Sequence, residues 1–286
     1  MEILITAGGT SEYIDSVRKI TNSSTGRLST FIYKSFLQKR NKEMHIHYVM
    51  SEDALLPEDI DNNVTTVYRI KDTKSLEECL KSIIKIKPFD IIVHCMAVSD
   101  FSIGSVLPMN DFVTNLSIQL AEQLISNSDS SKKLDSSQNS DSSQIEVQEK
   151  ALKQLTDPKK LKEIVDVSMS KILGKSTLPA SKISSNDDQI LNLIRTPKII
   201  KMLRELNPEA KLVGFKLLND VSEEHLINIA SQLGEINSCE FVVANDLKNI
   251  AGDQHEALLV KNGKVISRYN NKKDLGEGIV DCLFKI

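Results

Sequence analysis

ILITAGGTSEYIDSVRKITNSSTG, residues 3–26, runs a strand, two turns and a helix start together in one segment. Ile3, Leu4 and Ile5 form the short apolar run expected of a strand buried on both faces of a parallel sheet. Ala7-Gly8-Gly9-Thr10 breaks that run with residues that allow a tight turn and close approach of a ligand to the main chain. A polar segment carrying Asp15, Arg18 and Asn22 then leads to Ser23-Ser24-Thr25-Gly26 and a helix expected through about Arg40. Hydroxyl residues at a helix start cap its free N–H groups, and that end attracts anions. Two N–H-rich turns, a cation and a neutral amide are suited to phosphates and a carboxylate. The glycines alone are no nucleotide fingerprint, because both G-x-G-x-x-G and G-x-x-x-x-G-K-[ST] are absent. Gly8-Gly9 by itself reads equally well as a plain βα turn.

Outward from this segment, Glu43 to Met50, Val64 to Ile70 and the near-continuous apolar run Asp90 to Val98 read as strands, with an amphipathic helix over Thr73 to Ile86. His45 and His47 share one face of their strand; a metal pair is conceivable there, but polar strand residues are the plainer reading. Leu116, Leu120 and Leu124 have helical spacing, and residues 126–143 are serine-rich and polar, a composition expected to be disordered. Asp157-Pro158 opens a further helix. Thr196-Pro197 starts one to about Leu206, Lys211 to Leu218 makes a strand, Ser222 to Ile236 a helix and Glu240 to Ala244 a strand. Asn262-Gly263, flanked by Ala257 to Val260 and Lys264 to Arg268, signals a hairpin, and a last helix follows from Lys272. Strands alternating with helices predict an α/β fold, a doubly wound, mostly parallel, Rossmann-like sheet with an antiparallel flap near the C-terminus.

The formal net charge of −3 offers no electrostatic footprint for nucleic acid or an anionic membrane. No apolar run reaches the length of a membrane span, and Met1 leads directly into a strand, so no signal peptide is expected. Cys79, Cys95, Cys239 and Cys282 lack C-x-x-C spacing, which fits reduced thiols in a cytoplasm.

Gly8-Gly9-Thr10, Ile14 to Arg18, Ile20-Thr21-Asn22 and Ser24-Thr25-Gly26 resemble the N-terminal signature of the phosphopantothenate–cysteine ligases. The resemblance continues, in family order, through Met96 to Phe101, Lys182 to Ser185, Thr196 to Ile199, Gly214 to Leu218 and Val243 to Leu247. It covers residues 1–104 and 178–286 as the ligase domain and leaves 105–177 as an insertion relative to compact relatives. It implies that 4′-phosphopantothenate and L-cysteine are joined through an acyl-nucleotide made from ATP or CTP with Mg²⁺, releasing nucleoside monophosphate and pyrophosphate, in coenzyme A biosynthesis. By the same resemblance Asn22 meets the activated acyl group and Arg18 supports the phosphopantothenate site, with Ser24 and Gly26 beside them. Lys182 meets the nucleotide and is needed for turnover. Gly8, Gly9, His94, Cys95, Met96, Asp100, Pro197, Lys198, Ile199, Ile200 and Phe215 line the nucleotide site. Asp100 lies just past the end of a central strand, where ligands of open α/β sheets bind. Gln232 and Ile236 stand where bacterial members carry two lysines on the helix after the Gly-Phe strand, which tilts the expectation from CTP towards ATP. The family further implies a homodimer, and a separate decarboxylase for the next step. Two other classes compete. Tyr269 and Lys273 form the Y-x-x-x-K of a nicotinamide-dependent oxidoreductase, though far from a central strand. A non-catalytic nucleotide-binding module would keep the fold without needing Arg18, Asn22, Asp100 and Lys182 together.

Overall fold

The computed structural model describes residues 1–40, 43–129, 157–175, 182–183, 186–252 and 254–285. The chain forms two compact units, the first comprising Met1–Glu12, Lys19–Ser102 and Arg195–Ile286, the second Tyr13–Arg18 and Ile103–Ile194.

The first unit is built on an eight-stranded sheet in the order β12-β11-β10-β9-β6-β1-β4-β5. Its strands are β1 (Glu2–Ala7), β4 (His45–Ser51), β5 (Thr65–Ile70), β6 (Ile91–His94), β9 (Lys211–Leu218), β10 (Phe241–Ala251), β11 (Gln254–Lys261) and β12 (Lys264–Asn271). Pairing is parallel from β5 across to β10 and antiparallel from β10 to β12. The doubly wound sheet and its antiparallel edge are thus as the alternation of apolar runs predicted. β1 is buried along its whole length. Its Ile3, Ile5 and Ala7 join one apolar layer and its Leu4 the other, because successive side chains on a strand face opposite sides. Helices α1 (Arg27–Gln38) and α7 (Lys272–Lys285) cover the first face; α2 (Thr73–Ile86) and α5 (Ile199–Leu206) cover the second, and α6 (Glu223–Ile236) packs over β9 and β10. α1 and α7 approach closely because Gly276 lacks a side chain, and a Cβ there would lie 2.8 Å from the Cβ of Phe31.

Chain direction across the sheet reverses between β1 and β6. From β1 the chain moves through β4 to β5, then returns to β6 and continues to β9 and β10. That reversal opens a crevice at the carboxyl ends of β1 and β6, the position where doubly wound sheets take their ligands.

In the second unit β7 (Phe101–Pro108) pairs with β8 (Gln189–Arg195), and α3 (Met109–Asp129) packs on α4 (Pro158–Lys175), with Ile164 and Ile172 of α4 buried. β8 returns to pair with β7, and Lys182 lies in this unit. Residues 126–129 of the serine-rich tract close α3, and residues 130–143 lie outside the described residues. Two short strands, β2 (Ser11–Tyr13) and β3 (Lys19–Thr21), pair with each other, Ser11 Oγ donating to Thr21 Oγ1. Periodicity missed β2, β3, β7 and β8.

Candidate functional site

The crevice is built first by the turn that leaves β1. Gly8 has φ of 89°, a left-handed conformation that favours glycine, and a Cβ there would fall 2.2 Å from Ser51 Oγ. At Gly9 a Cβ would fall 2.1 Å from the carbonyl oxygen of Asn22, so only glycine lets these two segments touch. Gly9 N–H donates to Ser51 Oγ at 3.2 Å. The turn is laced to the segment after β6: Ala97 N donates to Gly8 O (2.9 Å), Thr10 N to Ala97 O (3.1 Å), and Ser99 N to Thr10 Oγ1 (2.8 Å).

Asn22 closes this arrangement. Its N–H donates to Thr10 O at 3.2 Å and its Nδ2 to Ala97 O at 3.3 Å. Among the described residues the amide makes this one side-chain bond. One N–H and Oδ1 therefore remain to meet a ligand, and main chain on both sides holds the group still. Beside it α1 begins at an N-cap, Gly26, with φ of 73° and no side-chain cap. The expected hydroxyl capping reduces to Thr25 Oγ1, 3.4 Å from Arg27 N, because the cap needs a left-handed residue and Gly26 takes that place. A Cβ on Gly26 would lie 3.2 Å from Gly8 N, so the uncapped helix start abuts the glycine turn. Ser24 is half-buried in the loop entering it. The first N–H groups of a helix lack intrahelical partners, and the end that carries them favours negative charge beside the turn.

The other wall follows β6. Thr196 donates through Oγ1 to Ser99 O (2.5 Å) and through its N–H to Asp100 O (3.1 Å), and Lys198 Nζ meets Asp100 Oδ1 at 2.5 Å, both side chains exposed. Pro197 and Lys198 thus stand beside Asp100. Ile199 does not offer its side chain: it is 2% exposed and, with Ile200, belongs to the apolar layer beneath α5. Met96 is buried in the same layer, and Phe215, half-buried, packs on the opposite one. His94 is also turned inward, its Nδ1 3.0 Å from Thr6 Oγ1, and burial lowers its pKa to about 4. Burial pushes the Cys95 thiol up to about 12, against a hydrogen bond with Ser29. Of this group, His94 at the end of β6, Met96 in the segment after it and Ile199 at the start of α5 turn their side chains into the core and leave only main chain towards the crevice.

The inward histidines set an acid limit on stability. His94 has a folded pKa of about 4, and His255, with neither ring nitrogen hydrogen bonded, is lowered to about 4 by burial, then by Lys272. The unfolded chain binds these protons first, at a pKa of about 6.5, so stability is complete above that pH and falls as pH drops towards 4. For His94 the loss is about 3 kcal/mol across that window. Urea midpoints should drop between pH 7 and pH 5, and His94→Gln should flatten the slope; a pH-independent midpoint would contradict this.

Arg18 and Lys182 belong to the second unit. Arg18 pairs with Asp15 through Nε (2.9 Å) and Nη2 (2.6 Å), and Nη2 also donates to Ile183 O (3.1 Å). Lys182 is exposed immediately before Ile183. Gln232 and Ile236 lie near the C-terminal end of α6, next to the start of β10, at the sheet end away from the crevice. His45 and His47 are bound into a side-chain network with Thr66, Tyr68 and Glu2, and the described residues contain no cluster of three or more His, Cys, Asp or Glu placed to hold a metal. Thr10, Ser51, Ser99 and Thr196 were not singled out from sequence. Thr10 and Ser99 carry one local signal, a hydroxyl residue next to Gly9 or Asp100, whereas Ser51 and Thr196 carry none, and the hydrogen-bond partners of all four are distant in the chain.

A family model described as the DNA/pantothenate metabolism flavoprotein C-terminal domain matches residues 1–156 and 175–286. Two curated relatives are each named coenzyme A biosynthesis bifunctional protein CoaBC. The one from Thermococcus kodakarensis is 27% identical over 286 residues, covering 99% of this chain and 51% of the relative. The one from Methanocaldococcus jannaschii is 25% identical over 289 residues, covering 99% and 50%. The chain spans about half the length of the curated relatives it matches. Among solved structures, the DNA/pantothenate metabolism flavoprotein from Streptococcus pneumoniae superposes with a TM-score of 0.71 at 30% identity, over 100% of this chain and 99% of that one. A Cab2 mutant in complex with phosphopantothenate-cysteine shares the fold with a TM-score of 0.60 at 16% identity, over 99% and 85%.

Proposed function

This chain belongs to the DNA/pantothenate metabolism flavoprotein C-terminal domain family, and from that premise we propose that it ligates 4′-phosphopantothenate to L-cysteine in coenzyme A biosynthesis. The single observation that carries the reading is Asn22, fastened to Thr10 and Ala97 at the crevice with amide hydrogen-bonding capacity to spare.

Carboxylate oxygen is a poor leaving group, so the carboxylate attacks the α-phosphorus of a nucleoside triphosphate, expelling pyrophosphate and forming an acyl-nucleotide. The cysteine amine then attacks the acyl carbon, the nucleoside monophosphate leaves, and the ammonium proton passes to solvent. The protein's share is to orient the two partners and to offer donors to oxygens that gain charge. In this reading the glycine turn and the start of α1 hold anionic oxygens, while Asn22 donates to the acyl oxygen. Asp100, Pro197, Lys198 and main chain at Cys95 bound the nucleotide. Mg²⁺ suits this site as an ion carried by the triphosphate, with Asp100 as the nearby carboxylate, since such ions are bound through one or two carboxylates plus phosphates. It supplies charge neutralisation at the phosphates when bound. ATP and CTP both remain candidates, and we place the chain in the cytoplasm as a homodimer.

The oxidoreductase reading loses its support at Tyr269. That residue lies on β12, the sheet edge remote from the β1–β6 crevice, with its ring against Gly278 of α7. Incubation with phosphopantothenate, cysteine, Mg²⁺ and either ATP or CTP should give sustained pyrophosphate release only when all are present, with at most one equivalent per site when cysteine is left out. Absence of release with both nucleotides would end the ligase reading.

Gly9→Ala tests the crevice directly. The added methyl would strike a main-chain oxygen of Asn22, so the Asn22 segment must move. Displacement of about 1 Å at a positioning group costs about 10²-fold in rate, and kcat/KM for phosphopantothenate should fall by that order. Near-normal kinetics would show that the contact is not used.

A further inference from the structure

We propose that Asp15, which has no part in the chemistry above, is the positioning residue of Lys182. The inference rests on the ligase reading for what Lys182 does, and on geometry within the second unit for how it is held.

The Asp15 side chain is fully buried. Its Oδ1 accepts from Val17 N (2.8 Å) and Arg18 N (2.7 Å), which folds residues 15–18 into a tight turn. Its Oδ2 accepts from Arg18 Nε and Nη2 and from Ile183 N at 3.0 Å. Arg18 Nη2 donates in turn to Ile183 O at 3.1 Å. Carboxylate and guanidinium together therefore grip the N–H and the C=O of one residue far along the chain. The Arg18 guanidinium, followed by the Ile183 N–H, holds the Asp15 carboxyl well below the usual carboxylate range, so the clamp stays charged at neutral pH.

A peptide plane is rigid, and the plane that contains Ile183 N also contains the Cα of Lys182. Fixing both polar groups of Ile183 fixes the planes on either side of it and hence the position of the Lys182 Cα from which the side chain departs. Arg18 spends Nε and both hydrogens of Nη2 on this clamp. It thereby holds the segment that carries Lys182.

The test combines amide hydrogen exchange with steady-state pyrophosphate release for wild type, Asp15→Asn, Lys182→Ala and the double variant. Asn keeps the size, but its NH₂ would face the donors of Arg18 and Ile183. Exchange at the Ile183 amide should accelerate about tenfold or more in Asp15→Asn, while the core amides of β1 and β6 stay protected. Turnover (kcat) should fall about tenfold or more with KM for phosphopantothenate within about threefold, and in the Lys182→Ala background Asp15→Asn should cost less than about twofold more. Arg18→Lys, which removes the fork but keeps the charge, should repeat the pattern if Asp15→Asn folds poorly. Unchanged exchange at Ile183 overturns the clamp, whether or not the protein turns over. Additive losses in the double variant overturn its action through Lys182. A wild type without turnover refutes the ligase reading, and the exchange result then decides the clamp by itself.

Discussion

Asn22→Asp is expected to give a folded, nucleotide-binding protein whose turnover is slower by about tenfold or more, and Asn22→Ala one slower by about 10²–10³, the usual cost of losing one preorganised donor to a developing oxyanion. The argument begins with what the amide touches. Its Nδ2 donates to Ala97 O at 3.3 Å, and its own N–H is held by Thr10 O, so the side chain is oriented before any ligand arrives. Replacing NH₂ by oxygen keeps the volume, removes both donors and sets a carboxylate against the Ala97 carbonyl and against an anionic intermediate. The loss falls on the step that builds charge at the acyl oxygen. It should appear in kcat more than in KM for the nucleotide, and acyl-nucleotide should accumulate in a single turnover if the second step is the one impaired. Melting temperature separates the alternatives: an asparagine that merely shapes a turn would shift stability by about 0.5 kcal/mol or less and leave the rate alone. Wild-type turnover by Asn22→Asp would falsify the role given to this residue.

Arg204→Ala should destabilise the protein by about 2–4 kcal/mol, the range for losing several charge-assisted hydrogen bonds at a half-buried site. Arg204 donates through Nε to Asn237 O (3.0 Å), through Nη1 to Asn207 O (3.1 Å) and Pro208 O (2.6 Å), and through Nη2 to Ala210 O (3.0 Å) and Ser238 O (2.9 Å). Every N–H of the guanidinium is used, and the acceptors include the C-terminal caps of α5 and α6. Helix ends leave carbonyls without intrahelical partners, and a cation there also meets the negative end of each macrodipole. One side chain thereby fastens the ends of two helices that precede β9 and β10. Arg204→Lys should recover little of the loss, because an ammonium donates from a single nitrogen and cannot span five carbonyls. Urea unfolding of the three proteins measures this directly; a change below about 0.5 kcal/mol in Arg204→Ala would show that water replaces the guanidinium without cost. Activity should survive in the folded fraction, since Arg204 touches no residue of the crevice.

Much of the fold was legible before any coordinate. The apolar triplet Ile3-Leu4-Ile5, the break at Gly8-Gly9 and the periodic face of Leu76, Leu80 and Ile83 each encode local geometry, and β1, its turn and α2 follow from them. Asn262-Gly263 foretold the β11–β12 hairpin for the same reason: positive φ at both residues is a local demand. The short strands β2, β3, β7 and β8 escaped because their pairing, rather than their composition, makes them strands.

The site divides along the same line. Asn22, Asp100 and Lys198 were legible as residue types in a family order, and the crevice brings Asp100 and Lys198 together across 98 positions. What residue order by itself determined was the set of chemical groups available and the local turns that present them. Tertiary structure alone decided which groups are spent and which are spare. His94, Met96 and Ile199 go to the core because their strand or helix faces do, and Gln232 and Ile236 fall at the sheet end away from the crevice because α6 runs back along it. Arg18 is committed to Asp15 and to Ile183, 165 positions away. Propensity and periodicity act over a few residues, whereas a carboxylate's partners are set by how distant segments close on one another, and that closure is a property of the packed core.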